Sequence, residues 1–63
     1  MVTQTLPARA WRLGDILVPP AGPARRVTLH RLEGAPAHAV VQFAGILGQV
    51  HYPLEHSEKI ERS

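Results

Sequence analysis

The chain has no cysteine, a single lysine and only three aromatic residues in a length of 63. Without cysteine, no disulfide and no thiolate metal site can brace a fold this small. With one tryptophan, one tyrosine and one phenylalanine (Trp11, Tyr52, Phe43), the interleaved stacking platform of dedicated single-strand binders is missing. No apolar run approaches the roughly 18 to 20 residues that a membrane span needs. The opening stretch, Met1 to Trp11, lacks the apolar core of a secretory signal. These absences point to a cytoplasmic protein with no membrane partner. Met1 at the start, with no tag, suggests a complete natural chain.

Catalytic and metal-binding patterns are equally scarce. Ser57 and Ser63 are the only serines, and neither lies in a strained G-x-S-x-G turn. The five acids are scattered and offer no obvious acid/base pair. No glycine-rich loop is built to cradle phosphate. The four histidines, His30, His38, His51 and His56, lack both helical i, i+4 spacing and a tight H-x-H pattern. They read as surface histidines, so neither a metal nor another cofactor is expected. A single copy is too short to line a deep pocket, and only a symmetric oligomer with a shared pore would open a route to catalysis.

What is present is apolar strand-forming sequence broken by glycine and proline. Residues Ala37 to Pro53, AHAVVQFAGILGQVHYP, set two apolar-rich runs around a glycine-bounded turn. Gly45 and Gly48 supply the backbone freedom for the reversal. Along the rest of the chain, Leu13-Gly14-Asp15 reads as a turn, with Asp15 free to accept from nearby amides. Ile16 to Val18 follows as the first strand, and Pro19 to Pro23 forbids regular structure. Arg25 to Leu32 is the second strand, Ala37 to Phe43 the third and Gln49 to Tyr52 the fourth. Pro53 to His56 suggests one helical turn, and Glu58 to Arg62 a last strand with Ile60 inward.

The expectation is therefore an all-β domain over residues 10–63, a five-stranded, partly open barrel with one short helical turn before its last strand. Residues 1–9, interrupted by Pro7, are expected to be a flexible arm. Trp11 is read as the cover over one open end of the core, or else as an exposed stacking residue.

At Leu13 to Arg62 the chain resembles the SH3-like small β-barrels, through its loop order, the Leu13-Gly14-Asp15 turn and Tyr52-Pro53 before the helical turn. Among these it is similar to the plasmid-borne type II dihydrofolate reductases, short chains that work as tetramers around a central pore. The shared features are Leu13-Gly14-Asp15, Gly22, the Gly48 to Pro53 stretch and Glu61-Arg62. The family's catalytic motif is not matched: Val50 stands at the pore glutamine, and Pro19 and Pro20 stand at its basic residues. Only Tyr52 carries over. The resemblance implies a barrel, and leaves reductase activity resting on a pore motif this chain lacks.

The functional expectation rests on one sheet face. Strict alternation places Val27, Leu29, Ala39, Val41 and Phe43 inward, and Arg26, Thr28, His30, Val40, Gln42, Gln49 and His51 outward. Arg25, Arg31 and Trp11 would flank that face. The net charge of +2 is unevenly spread, at +4 over residues 1–32 and −2 over residues 33–63. A domain of this length buries only roughly 60% of its unfolded surface, so pairing with a second copy is an accessible source of stability. The first reading is a non-enzymatic interaction module that associates with itself or another protein through this face and the Pro19 to Pro23 loop. The second is nucleic-acid binding through Arg25, Arg26, His30 and Arg31, with bases stacked on Trp11 or Tyr52. The third is a pore-type oligomeric reductase.

Overall fold

The computed structural model describes all residues from Met1 to Ser63. It is an all-β fold of six antiparallel strands: β1 (Val2–Pro7), β2 (Ile16–Val18), β3 (Arg25–Glu33), β4 (His38–Phe43), β5 (Val50–Tyr52) and β6 (Ser57–Arg62). The strand order is β1-β6-β2-β3-β4-β5. β1 and β5 stand at opposite ends of the sheet, which is not closed into a barrel. No helix is long and apolar enough to cross a membrane.

The expected five strands are six, because residues 2–7 are not an arm. They pair with β6 along their full length, from Val2 opposite Arg62 to Pro7 opposite Ser57. This strand has no buried face to announce it, since Val2 to Thr5 are exposed. It is held by backbone pairing, and its Val and Thr residues favour the extended chain. The helical element also lies elsewhere. Residues 53–56 form a turn closed by the His56 N–H on the Pro53 carbonyl at 3.0 Å. The single 3-10 turn spans Ala8–Ala10. It is tied to the β5–β6 connection by Ala8 N–H to His56 O (2.8 Å) and Arg9 N–H to Leu54 O (3.1 Å).

The β4–β5 reversal follows the glycine pattern, with Gly45 and Gly48 at φ +78° and +84°, a region that side chains with a Cβ rarely enter. The core gathers Leu17, Val27, Ala39, Val41, Phe43 and Ile60, capped by Ala8 and Trp11. Trp11 is 2% exposed and donates its indole N–H to the Leu6 carbonyl at 3.0 Å. It is buried with the core and is not an exposed stacking residue. Around it stand Tyr52, edge-on at 5.0 Å between ring centroids, and His56 at 6.4 Å.

One irregularity reorganises β3. Val27 pairs with Phe43, but Leu29 pairs with Gln42, so an extra residue interrupts the ladder at Thr28. Such a bulge shifts the side-chain alternation beyond it by one position. The Thr28 hydroxyl donates to the Gln42 carbonyl at 3.1 Å and stitches the irregular stretch together. Before the bulge, Val27 is inward and 1% exposed. After it, the even-numbered His30 takes the core side, opposite Val41, and Leu32, at the end of the strand, is exposed.

Candidate functional site

The bulge redraws the face expected from alternation. His30 does not lie on the outer face. It pairs with core residue Val41 and sets its Nε2 2.7 Å from the Ala8 carbonyl, linking β3 to the 3-10 turn. Leu29, expected inward, is only half-buried and lies opposite Gln42. Arg31, expected as a flank, joins the face itself.

The outer face of β3, β4 and β5 thus carries Leu29, Arg31 and Glu33 opposite Gln42, Val40 and His38, with His51 beside Val40. Arg31 donates from Nε to Glu33 at 2.8 Å and from Nη2 to Gln49 at 3.3 Å. The His38 and His51 rings stack at 4.8 Å. Val40, between Arg31 and His51 in register, is fully buried although it stands outside the main core. The long arginine stem and the imidazole beside it can shield apolar surface while their polar ends reach water. The hydrogen bond from Arg31, followed by its charge and those of His38 and His51, holds the Glu33 carboxyl below its ordinary range.

The remaining expected site residues are dispersed. Arg26 is exposed and donates from Nη1 to the Gly14 carbonyl at 3.1 Å, at the other end of β3. Arg25, half-buried, pairs with Leu17. Tyr52 pairs with Ala39, stacks on His56 at 5.0 Å and meets Phe43 edge-on at 6.4 Å. Burial, and then the charge of Glu58, push its phenol above the usual tyrosine range. Trp11, being buried, presents no face for stacking bases. The expected set of Arg25, Arg26, His30, Arg31, Gln42, Gln49, His51, Tyr52 and Trp11 therefore does not form one surface. Arg31, Gln42, Gln49 and His51 are the members that remain around the outer face.

A second constellation lies where the Arg12 to Asp15 turn meets β6. Asp15 is the one buried charged residue, at 2% exposure. Arg62 grips it with two parallel hydrogen bonds, Nε to Oδ1 at 2.9 Å and Nη2 to Oδ2 at 2.8 Å. The Arg12 backbone N–H adds a third at 2.9 Å, and Arg62 Nη2 also reaches the Ala10 carbonyl at 3.1 Å. The Arg62 hydrogen bonds hold the Asp15 carboxyl below its ordinary value against the opposing effect of burial. Gly14, at φ +88°, turns the chain so that its own N–H and the Asp15 carbonyl both pair with Val27. The sequence indicated only half of this: Asp15 as acceptor for a nearby amide was legible in the turn, while Arg62, 47 residues away, was not.

Comparison with protein-family models, with curated proteins and with solved structures gave no match.

Proposed function

We propose that this chain is a partly open, SH3-like small barrel acting as a non-enzymatic interaction module, and that it associates with a second copy of itself through β1. The barrel assignment draws support from the connectivity. β2 to β5 follow one another as a meander, and β6 returns beside β2 after a tight turn.

The observation that carries the self-association is the free edge of β1. Its one strand neighbour is β6, and Val2 to Thr5 are exposed. The Leu6 carbonyl at its far end is already taken by Trp11, so the open stretch is residues 2–5. That stretch, Val-Thr-Gln-Thr, has no charge, no proline and no bulge, the usual devices that keep an edge from pairing. A second copy meets it antiparallel without like-charge repulsion. Such pairing is isologous and closes at a dimer, because each copy offers the same strand. The pairing is small in area, so the dimer is weak and concentration-dependent.

Sedimentation equilibrium over a wide concentration range tests this reading, with hydrogen exchange at the two extremes. The expected result is a monomer–dimer equilibrium in which amides of residues 2–5 gain protection as dimer accumulates. A monomer at every concentration overturns it.

A further inference from the structure

Independently of the β1 edge, the clamp around Asp15 forms the floor of a solvent-open notch of about 290 Å³. Arg12, Arg26 and Arg62 line it, with Leu13 among its walls. Asp15 is the only acidic side chain there, Ser63 brings a main-chain carboxylate to the lining, and Arg62 together with the Arg12 amide already occupies the Asp15 oxygens. Glu61, next in sequence to Arg62, alternates to the opposite side of β6.

The cations therefore exceed the anions. The Arg12 and Arg26 guanidiniums form no ion pair with any carboxylate. Arg26 uses only Nη1, on the Gly14 carbonyl, and Arg62 engages through Nε and Nη2. A guanidinium carries five N–H donors, so all three residues retain donors for a ligand. Arg62 is moreover fixed in place by Asp15 and Ala10, which reduces the ordering that binding would require.

We propose that this notch binds a phosphate group, with Arg12 and Arg26 as charge partners and the clamped Arg62 as the fixed donor. Three guanidinium groups lining one notch match the several oxygens and double charge of a phosphate better than they match a single carboxylate. Leu13, 68% exposed, offers apolar surface to whatever the phosphate is attached to. The phosphate is either free or the 5′-phosphate of a nucleotide, and both sources share the same recognition chemistry.

The test is an NMR titration at low ionic strength with inorganic phosphate and with adenosine monophosphate, following backbone amides and arginine Nε–H signals. The expected result with inorganic phosphate is saturable shifts confined to Arg12, Gly14, Asp15, Arg26 and Arg62. Replacing both Arg12→Gln and Arg26→Gln weakens binding by about tenfold or more, since two charge-assisted contacts are lost. The charge-matched control, Arg9→Gln with Arg31→Gln, leaves binding unchanged. Should the notch double variant fail to give a dispersed spectrum, Arg12→Gln alone serves, because that side chain has no hydrogen bond to lose. Tighter binding of the nucleotide than of phosphate, with shifts at Leu13, identifies the nucleotide as the source, and equal affinities identify free phosphate. Unsaturable shifts spread over all six arginines, or binding unaffected by Arg12→Gln and Arg26→Gln, overturn the proposal.

Discussion

The two halves of the sheet are held by different means. In β3, β4 and β5, apolar side chains are buried on both sides of the central strand: Ala39, Val41 and Phe43 on the core side, and Val40 on the other. In β1, β6 and β2, the buried apolar residues are Leu17 and Ile60, and the end of β6 is fastened by a carboxylate–guanidinium pair. The outer edges follow the same division. β5 is three residues long, whereas β1 is six and is exposed over its first four. A chain this short does not have enough apolar residues to sandwich every strand. The half built by packing ends in a minimal edge, and the half built by pairing and charge leaves an edge open to a partner.

Truncation of the packed half has the largest expected effect. Phe43→Ala removes an aromatic ring that is 5% exposed and packs edge-on against Tyr52. It should cost about 3 to 5 kcal/mol, enough to unfold a domain of this size in a urea titration followed by Trp11 fluorescence. Asp15→Asn, in the other half, should cost about 3 kcal/mol, near the lower end for a broken buried pair because Arg62 keeps some contact with water. Equal tolerance of both substitutions would erase the contrast between a packed half and a clamped half.

Acid titration sharpens the same point. The Asp15 carboxyl titrates below its ordinary value of 3.8 when folded, so the unfolded chain takes up its proton first as pH falls. The stability it contributes is complete above pH 3.8 and is lost as pH drops through the lower folded value. Asp15→Asn should flatten the pH dependence of the urea midpoint in that window. Glu33 is shifted in the same direction, but it is exposed and its pair with Arg31 stands in solvent. Glu33→Gln should therefore leave the midpoint at neutral pH within the scatter of repeat measurements. A larger loss from Glu33→Gln than from Asp15→Asn would reverse the assignment of which ion pair matters.

The sequence made the packed half more legible than the clamped one. The inward residues of β4 and the glycine reversal leave local patterns, because period-two burial and positive-φ glycine are written into neighbouring residues. The β3 bulge leaves no such mark. Thr28 looks like any strand residue, and one unpaired position was enough to exchange the facings of Leu29 and His30. β1 was missed for a related reason: a strand exposed on both faces shows no alternation, and its evidence is the hydrogen-bonding edge of β6 at the far end of the chain. The Asp15–Arg62 pair was half visible, since the turn announces an acceptor while its strongest donor comes from a distant strand. What the sequence hid were therefore long-range pairings, and both candidate binding features, the free edge and the arginine notch, depend on them.

The most direct test of the central claim is to place a charge on the β1 edge without disturbing the fold. Thr3 lies opposite Glu61, so Thr3→Lys gains a complementary cross-strand neighbour within the monomer while setting like charges against each other between two copies. Sedimentation equilibrium of the two proteins, with urea midpoints measured at a concentration where both are monomeric, should show a dimer for the parent chain. It should show a monomer for Thr3→Lys, with an unchanged midpoint. A variant that dimerises as strongly as its parent would contradict the account.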